Sequence, residues 1–279
     1  MVNDLEGIAA AITGGADGIG FSLAKAIAAR GGRVALLDVR KDAVHDAAEA
    51  LRSSGFEAVG VICDVSDHAS VAAAADEVAS HFGTVNLAWM NAGVGAAGHL
   101  NTAPANDIDW VHAVNVAGTI NTVRTFWPLV ADAKGLRHFG YTGSSIIFGH
   151  GEEYPHGIYA ASKWASVGVA ESLVGQAARA GIGTTIFCAG LLNTRIWDGA
   201  RARPDRFGGA FHQPEHAGEF WRTHGMPVDW ACEQAIQAVE RNQNYCSPVF
   251  QRVVDDFDAR TKAVRDSFII YPNDAGSKP

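Results

Sequence analysis

Short apolar runs alternate with longer helical patterns from the start of the chain, and this alternation constrains the fold more than any other feature. The apolar runs cover residues 7–13, 33–38, 58–63 and 85–90, and the helical patterns between them cover residues 18–30, 42–53 and 67–82. Apolar runs of this length are typical of strands buried on both faces. The pattern therefore predicts a doubly wound α/β fold, in which helices cover both faces of a parallel sheet.

The second half of the chain continues the alternation less regularly. Its predicted strands are residues 139–144, 183–188 and 245–250, and its predicted helices are residues 107–130, 159–180, 228–242 and one amphipathic helix from about residue 253. We expect the helix over 107–130 to break or bend near Pro128, and Gly140 and Gly143 weaken the strand signal around them. The tail from about residue 272 is expected to be loose. Since no repeat or linker is visible, residues 1–279 are predicted to form a single domain.

Composition narrows the class of protein. Of the 279 residues, 48% are hydrophobic and 19% are charged, and the formal net charge is −8. These values are ordinary for a globular domain, and the negative charge argues against a nucleic-acid or anionic-membrane surface. No stretch resembles a membrane span or a secretory signal. We therefore expect a cytoplasmic protein with neither nucleic-acid nor membrane partners.

The cysteines and histidines show no metal-site spacing. The four cysteines are Cys63, Cys188, Cys232 and Cys246, and they are scattered along the chain, as are the eleven histidines. A structural zinc site would bring such residues together in close pairs. We therefore expect free thiols and no metal.

A glycine loop joins the first predicted strand to the first predicted helix. It carries Gly14, Asp17, Gly18, Ile19 and Gly20. Glycines allow a tight turn and close backbone approach, and the N-terminus of the following helix offers free N–H groups to a pyrophosphate. Because glycine-rich turns are common, the loop by itself is a weak signal for a dinucleotide.

An acidic residue strengthens that interpretation. Asp38 ends the second predicted strand, 18 positions after Gly20, where a carboxylate can accept hydrogen bonds from an adenosine ribose. The alternative is that Asp38 only caps the next helix. Asp38 and Asp17 would both repel a 2′-phosphate, which favours NAD as cofactor over NADP. Arg40 is the one nearby residue that can favour NADP.

Tyr159 and Lys163 lie four positions apart in a predicted helix, so their side chains share one face. A nearby ammonium favours the phenolate and is expected to lower the pKa of Tyr159. A hydroxyl such as that of Ser145 can hold a substrate oxygen beside the phenol, which makes a proton-transfer site for an alcohol or ketone. The alternative is a packed tyrosine next to a solvated lysine.

Together, and in their order along the chain, these motifs resemble those of the short-chain dehydrogenase/reductase family, from about Gly7 to Thr194. An Asn-Ala-Gly run after the fourth predicted strand adds another matching motif. The resemblance implies a single-domain Rossmann-like fold and a cofactor site formed by Gly14, Asp17, Gly18, Ile19, Gly20, Asp38, Asp64, Val65, Asn91, Ala92, Gly93, Tyr159, Lys163, Gly190, Leu192 and Thr194. It implies catalysis by Asn115, Ser145, Tyr159 and Lys163.

The resemblance also implies a role for each catalytic residue. Tyr159 removes the alcohol proton, Lys163 tunes the phenol and binds the nicotinamide ribose, and Asn115 supports a water that links Lys163 to solvent. The active serine of the family is usually the second of a pair, so Ser145 is preferred to Ser144. Ala189 stands where the family usually has proline, so the backbone there is expected to be less fixed.

The expected assembly is a homodimer, with a homotetramer as the alternative. The resemblance implies that the dimer forms through the helices that begin near Asp107 and Tyr159. The C-terminal part from Val253 lacks the Asp-Gly-Gly ending that helps related chains form tetramers. This absence favours the dimer.

Other functions remain open at this stage. The chain can be a non-catalytic dinucleotide-binding regulatory protein, since fold does not fix function, or an NADP-dependent ketone reductase. A sugar epimerase would need a larger C-terminal domain than the residues after Thr194 can form. A methyltransferase interpretation of the glycine loop would explain neither Tyr159 nor Lys163.

Residues 195–226, called the lid segment below, have little strand signal but many aromatic residues and glycines. The aromatic residues are Trp197, Phe207, Phe211, Phe220 and Trp221. A long loop of this kind is usually functional, and it can close over a substrate. With Phe148, Tyr154 and Trp164 near the catalytic residues, it predicts a bulky hydrophobic, aromatic or cyclic secondary alcohol or its ketone. The alternatives are packing of these rings in a small core or a subunit interface, and binding of a substrate carboxylate by Arg195, Arg201, Arg203 or Arg206.

Overall fold

The computed structural model describes residues 3–96, 98–149 and 156–269. These residues form a seven-stranded sheet in the order β3-β2-β1-β4-β5-β6-β7, and every pair of neighbouring strands is parallel. The strands are β1 (Ala9–Thr13), β2 (Arg33–Asp38), β3 (Ala58–Ile62), β4 (Leu87–Met90), β5 (His138–Ser144), β6 (Gly183–Ala189) and β7 (Tyr245–Cys246). The predicted doubly wound parallel sheet is confirmed.

Helices cover both faces of the sheet. They are α1 (Gly18–Ala28), α2 (Lys41–Ser53), α3 (His68–Phe82), α4 (Ala105–His112), α5 (Gly118–Asp132), α6 (Gly157–Arg179), α7 (Glu219–His224), α8 (Val228–Glu240) and α9 (Gln251–Asp266). Residues of α1, α2 and α8 build one hydrophobic core with the sheet, and residues of α3, α4, α5 and α6 build the other. The two cores explain why the strands read as continuous apolar runs.

β5 shows why a glycine can stand in a buried strand. A Cβ atom on Gly140 would lie 2.3 Å from Cδ2 of Trp89 on the neighbouring strand β4. The Trp89 indole is fully buried and donates a hydrogen bond to Oγ1 of Thr142, 2.9 Å away. Gly140 therefore makes room for the largest side chain of the sheet, and it weakens the strand signal without breaking the strand.

The expected break in the helix over residues 107–130 lies elsewhere. α5 continues through Pro128, whereas one turn of π-helix over Ala113–Ala117 separates α4 from α5. A π turn carries one extra residue, which changes the direction of the side chains beyond it. Asn115 lies in this turn and is buried.

The C-terminal part differs most from the sequence expectation. β7 ends at Cys246, earlier than expected, because Pro248 lacks the N–H that a further ladder bond would need. α9 has sixteen residues, and none of them is buried. The expected loose tail from about residue 272 lies outside the described residues. None of the described helices has the length and apolarity that crossing a membrane requires.

Candidate active site

The predicted site residues lie along the carboxyl ends of the strands. β1 pairs with β2 on one side and with β4 on the other, so the direction of winding reverses between β1 and β4. In open parallel sheets, ligands bind in the crevice at such a reversal. The glycine loop follows β1, and the Asn91–Gly93 run follows β4, so both lie at this crevice.

The glycine loop has the geometry that close approach to a phosphate requires. Gly14 and Gly18 adopt φ angles of +63° and +53°, a region that disfavours other residues. A Cβ on Gly20 would lie 2.2 Å from the carbonyl oxygen of Gly14. Oδ1 of Asp17 accepts a hydrogen bond of 2.7 Å from the N–H of Gly18 and so caps α1. The next N–H groups of α1, from Ile19 on, belong to the first turn, where a helix leaves its donors for a ligand.

Thr13 holds the glycine loop to the Asn91–Gly93 run. Its Oγ1 accepts hydrogen bonds from the N–H groups of Asn91 and Ala92, at 2.9 and 3.1 Å. Asn91 returns two bonds, from Nδ2 to the carbonyl oxygens of Thr13 and Gly14. The sequence analysis missed this role of Thr13. Its position directly before the first loop glycine was the only local signal.

Asp38 lies at the end of β2, and both of its carboxylate oxygens accept hydrogen bonds. It accepts hydrogen bonds from the N–H groups of Ala16 (3.3 Å) and Arg40 (3.1 Å). The Arg40 guanidinium adds two more, from Nε at 3.0 Å and from Nη2 at 3.1 Å. Arg40 also approaches Asp17, with 4.0 Å between Nη1 and Oδ2. Arg40 is therefore neutralised by the two carboxylates that were expected to select the cofactor.

Asp64 and Val65 follow β3. Burial acts to raise the pKa of the Asp64 carboxyl, but hydrogen bonds from Ser66 and Arg206 outweigh it and the pKa is lowered. The Val65 carbonyl accepts a bond of 3.0 Å from Nδ2 of Asn121. Asp64 is thus a charged group on the β3 side of the crevice, already paired with an arginine of the lid segment.

Asn115 clamps the loop that follows β4. Its Oδ1 accepts from the Val94 N–H at 2.8 Å, and its Nδ2 donates to the Val94 carbonyl at 2.9 Å and to Oγ of Ser162 at 2.9 Å. Ser162 lies between Tyr159 and Lys163 in α6 and donates to the Tyr159 carbonyl at 2.7 Å. The π turn therefore ties the loop to the helix that carries the expected catalytic pair.

Lys163 and Tyr159 lie on one face of α6, as expected. Nζ of Lys163 donates to the carbonyl oxygen of Thr142 at 3.1 Å and lies 5.9 Å from the centroid of the Tyr159 ring. Burial lowers the pKa of Lys163 to about 8. A Cβ on Gly93 would lie 3.2 Å from this Nζ, so the ammonium faces the Asn91–Gly93 run.

The phenol pKa departs from the sequence expectation. Burial raises the pKa of Tyr159, and the hydrogen bond with Ser144 lowers it by less. The expected lowering by Lys163 is absent, and its ammonium donates to the Thr142 carbonyl. The Tyr159 side chain is therefore held as a neutral phenol.

Ser144, the last residue of β5, is the serine that contacts the phenol of Tyr159. Ser145 begins a 3₁₀ turn over Ser145–Ile147, which the Ser144 hydroxyl caps by accepting from the N–H of Ile146. Successive side chains in extended backbone point to opposite faces, so the two hydroxyls cannot both face Tyr159 from the strand. This contact favours Ser144 over the Ser145 assigned from the resemblance.

Gly190, Leu192 and Thr194 connect β6 to the lid segment. The Gly190 N–H donates to the Pro248 carbonyl at 3.2 Å, and a Cβ on Gly18 would lie 3.5 Å from Cγ2 of Thr194. Two hydrogen bonds close the base of the lid segment, from Asn193 N to Met226 O (3.1 Å) and from Met226 N to Leu191 O (2.9 Å). The buried Leu192 lies between these bonds. Ala189, at the usual proline position, is the last residue of β6 and pairs with Ser144.

Ion pairs hold the lid segment against the rest of the chain. Each of its four arginines proposed as ligands for a substrate carboxylate already faces an aspartate: Arg195 with Asp198 (2.8 Å), Arg201 with Asp17 (2.9 Å), Arg203 with Asp107 (2.6 Å) and Arg206 with Asp64 (2.8 Å). Two of these aspartates, Asp17 and Asp64, are predicted cofactor residues. The lid segment therefore reaches across the crevice to both of them.

The aromatic residues of the lid segment pack mainly within it. Trp197 lies so close to Gly218 that a Cβ there would be 2.3 Å from its Cε2, and Phe220 contacts Trp221 edge to face. Phe207 packs against the core next to the sheet.

Two of the rings expected on the other side of the site contact α9. Phe148 meets Phe257 of α9 edge to face, with 5.2 Å between the ring centroids, and Trp164 lies under Arg260 of α9 at 4.4 Å. Both contacts direct these side chains to the C-terminal helix. Tyr154 lies outside the described residues.

The apolar surface beside Tyr159 includes neighbouring backbone and Ile196. A Cβ on Gly95 would lie 3.9 Å from Cδ2 of Tyr159 and 4.0 Å from Cγ1 of Ile196. Glycine at this position leaves space next to the phenol.

A sequence model described as short chain dehydrogenase matches residues 9–205. This range includes the glycine loop, the Asn91–Gly93 run and all the predicted catalytic residues. The chain belongs to the short chain dehydrogenase family. It is thus an oxidoreductase that acts on CH–OH groups with a nicotinamide dinucleotide, in agreement with the resemblance.

Named relatives and a solved structure of the family extend this likeness beyond the matched range. The C alpha-dehydrogenase of Sphingobium sp. (strain NBRC 103272 / SYK-6) is 30% identical over 95% of this chain and 88% of its own. The D-threitol dehydrogenase of Mycolicibacterium smegmatis is 31% identical over 71% of this chain and 76% of its own. The structure of a short chain dehydrogenase/reductase from Burkholderia phymatum in complex with NAD has a TM-score of 0.84 and 30% identity, and the match covers 99% of each chain.

The residues present fit a dinucleotide of this kind. The positive φ angles of Gly14 and Gly18 and the tight contact at Gly20 bring bare backbone to the crevice beside the N-terminus of α1. Asp38 lies at the end of β2, the position expected to bind a ribose. On the same edge, Ser144, Tyr159 and Lys163 place a hydroxyl, a phenol and an ammonium side by side, which can hold a substrate oxygen and exchange its proton.

Proposed function

We propose that this protein oxidises a bulky hydrophobic secondary alcohol with NAD, or reduces the corresponding ketone with NADH. The observation that carries the proposal is the contact of Ser144 with the Tyr159 phenol, on the face of α6 that also carries Lys163. An oxidoreductase acting on CH–OH must remove the hydroxyl proton of the alcohol, and this trio supplies the groups for it.

Each residue of the trio has a separate task in the proposed reaction. The Ser144 hydroxyl holds the substrate oxygen, and the Tyr159 phenol exchanges a proton with it. Lys163, whose pKa burial lowers to about 8, provides positive charge next to the phenol during that exchange. A bound nicotinamide would supply the acceptor for the hydride of the substrate carbon. Asn115 holds the Val94 backbone and Ser162 in place, so it positions the trio and supports proton exchange with solvent.

The acidic side chains support NAD over NADP. A 2′-phosphate near Asp38 would meet a carboxylate that is only 7% exposed, and it would have to take Arg40 away from Asp38. Separating a partly buried ion pair is costly because it leaves a buried charge without its partner. The pairing of Arg40 therefore supports the NAD preference. An NADP-dependent ketone reductase remains the second candidate, since Arg40 is close enough to turn towards a phosphate.

The apolar lining supports a hydrophobic substrate. Next to Tyr159 lie Gly95 and Ile196, and the four lid arginines named above are paired with aspartates. A substrate carboxylate would have to compete with one of those aspartates. The relatives named above are a C alpha-dehydrogenase and a D-threitol dehydrogenase, and the second name gives a small polyol as a competing substrate class.

A substrate comparison tests the proposal. Formation of NADH would be followed by absorbance with 1-phenylethanol, cyclohexanol, 2-propanol and D-threitol, each with NAD and with NADP. We expect higher kcat/KM for the aryl and cyclic alcohols than for 2-propanol and D-threitol, and higher kcat/KM with NAD than with NADP. Equal or better turnover of the two small alcohols would reject the hydrophobic substrate, whereas better kcat/KM with NADP would reject only the cofactor assignment.

The free thiols support a reducing compartment such as the cytoplasm. Cys63, Cys188 and Cys232 are buried, Cys246 is partly buried, and none of the four forms a disulfide. Disulfide-free buried cysteines are typical of proteins kept under reducing conditions.

A homodimer through α4, α5 and α6 is part of the same proposal. Ile108 of α4, Ile120 of α5 and Trp164 of α6 are 37%, 39% and 40% exposed. Apolar side chains exposed on neighbouring helices can be buried in a subunit interface.

A further inference from the structure

α9 is a helix that the described part of this chain does not bury. None of its sixteen residues is buried. Its side-chain contacts with the rest of the described chain include only one ring contact, Phe257 with Phe148, and one cation–π contact, Arg260 with Trp164. Isolated helices of this length are marginal in water, and most helices in proteins depend on packing of an apolar face. The contacts among the described residues therefore do not account for the stability of α9.

Six residues within and next to α9 follow the spacing of a helix-pairing seam. The positions alternate four and three residues apart, and we call them the α9 stripe: Phe250, Val254, Phe257, Thr261, Val264 and Phe268. All but Thr261 are large apolar side chains, and these five are between 39% and 70% exposed. A repeat averaging 3.5 residues keeps a single line of side chains facing another helix. Such a line is expected when a helix packs along a second helix.

The charges of α9 are divided between its two halves. Residues 251–258 carry three aspartates and one arginine, whereas residues 259–266 carry two arginines, one lysine and one aspartate. An antiparallel copy of α9 would place the acidic half of each helix beside the basic half of the other. The same division also suits the dipole of a lone helix, but the dipole would not require the apolar stripe. The helix lacks the predominantly basic polar face that binds anionic membranes.

We propose that the α9 stripe packs against the α9 stripe of a second copy of this chain, with the two helices antiparallel across a two-fold axis. Each helix then contacts the same surface on its partner, as two-fold symmetry requires. A pair of helices this short buries less than the roughly 1,200–2,000 Å² of a stable interface. Trp164, which contacts α9, continues the surface onto the exposed face of α6.

This association would also steady one wall of the active site. Phe257 of the stripe contacts Phe148, which directly follows the Ser145–Ile147 turn. A Cβ on Gly149 would lie 3.0 Å from Cβ of Asp256, so α9 lies directly against the backbone after the catalytic serine. A partner that orders α9 therefore orders the end of this loop as well.

Charge exchange in α9 tests the antiparallel pair. One variant carries Asp255→Lys, Asp256→Lys and Asp258→Lys, and another carries Arg260→Glu, Lys262→Glu and Arg265→Glu. Each variant should repel its own copies through α9, so its mass in sedimentation velocity should fall to half that of the wild type: from tetramer to dimer where α4, α5 and α6 also form an interface, and from dimer to monomer where they do not. An equimolar mixture of the two should restore the wild-type mass, because the basic helix of one then faces the acidic helix of the other.

Controls separate the pair from other causes of a change in mass. A control variant carries Lys41→Glu, Lys134→Glu and Arg241→Glu. It makes the same charge change as the arginine and lysine variant of α9, but at exposed positions outside that helix, and it should keep the wild-type mass. Far-UV circular dichroism would verify that each variant is folded. A monomeric wild type, or α9 variants that keep the wild-type mass, would overturn the proposal. Masses that fall and are not restored on mixing would reject the antiparallel arrangement.

Discussion

Two regions enclose the crevice of this protein, and they are held in different ways. One region, the sheet edge, consists of the glycine loop, the Asn91–Gly93 run and β5 with α6. Buried hydrogen bonds, such as those of Thr13 and Asn115, hold these parts together. The lid segment leaves the core at Leu192 and returns at Met226. Between these two points, its described contacts with the sheet edge include the ion pairs of Arg201 with Asp17 and of Arg206 with Asp64.

The difference indicates that the sheet edge is suited to chemistry and the lid segment to ligand exchange. Groups that must hold a reacting atom need fixed positions, and the buried bonds of the sheet edge provide them. Each of these two ion pairs has one partly exposed partner, Asp17 (37%) or Arg206 (49%), so it separates more easily than a pair in which both partners are buried. They suit a segment that must open to admit and release ligands. Substitutions at the sheet edge should therefore reduce kcat, whereas substitutions at the lid ion pairs should change ligand exchange.

Tyr159→Phe, a substitution at the sheet edge, should cause the largest change in kcat. It keeps the ring and its packing but removes the hydroxyl that exchanges the proton, so kcat should fall by at least ~100-fold. NADH binding, measured by fluorescence, should change little, because the fold and the glycine loop are intact. Near-normal turnover by the purified variant would show that the sheet edge does not supply the proton-transfer group through Tyr159.

The two serines should differ when they are replaced singly. Ser144→Ala removes the hydroxyl that contacts the phenol, and we expect a loss of about 10- to 100-fold in kcat, the worth of one hydrogen bond to a charged group. Ser145→Ala is the matched control and should retain activity within about threefold, since the half-buried Ser145 hydroxyl makes no hydrogen bond with the other described residues. The reverse order would restore Ser145 as the substrate-binding serine.

Much of the sheet edge could be predicted because its residues obey local rules. The strand over residues 33–38 and the helix that ends at Phe82 lie where the apolar spacing put them. The loop glycines are required by the backbone itself, since Gly14 and Gly18 have positive φ angles. Such features depend on neighbours in sequence, so a single sequence carries them.

The remaining features depend on contacts between distant residues or on small changes of direction. Arg201 and Asp17 are 184 positions apart, and no local pattern predicts that they pair. The π turn over Ala113–Ala117 has the same side-chain types as an α-helix, so its extra residue is invisible in the spacing. Ser144 and Ser145 are adjacent, so their positions in the sequence do not show which hydroxyl reaches Tyr159. The family pattern favoured Ser145, whereas the contact with Tyr159 favours Ser144.

Arg201→Gln should show a smaller effect of a different kind. The substitution removes the ion pair that holds the lid segment to Asp17, and a pair of this type is worth about 1 kcal/mol or less, or roughly fivefold. We expect NADH to dissociate up to about fivefold faster in stopped-flow fluorescence, with kcat within about twofold of the wild type if chemistry limits turnover.

Arg222→Gln is the control for the lid substitution. Arg222 pairs with Glu215 inside the lid segment, so its loss removes a similar charge without releasing the segment from the sheet edge. The control should leave the NADH dissociation rate unchanged. A loss of kcat by Arg201→Gln as large as that of Tyr159→Phe would break the comparison, because the lid would then take part in the chemistry.

The smallest expected effect is that acid weakens the sheet edge and the lid segment over different pH ranges. His138 begins β5, and burial lowers its pKa from 6.5 to about 3. Between these values the unfolded chain binds one more proton than the folded chain, so stability falls as the pH falls through this window. In contrast, the pKa values of Asp64 and Asp198, which pair with lid arginines, are lowered below 3.8. Their contribution is present above 3.8 and is lost only as the pH falls through the lowered values.

Lowering the pH from 7 to 5 should therefore weaken the sheet while the lid ion pairs persist. In urea unfolding, the wild type should lose stability by at most about 1.4 kcal/mol per pH unit through His138. His138→Gln should remove this part of the pH dependence, because its amide can still donate to Oγ1 of Thr185, the partner of Nε2 in the wild type, without titrating. Limited proteolysis within residues 195–226 should proceed at the same rate at both pH values, since both aspartates stay charged. Faster cleavage there at pH 5, with unfolding stability unchanged, would show that the lid segment is the acid-sensitive region and would reverse the comparison.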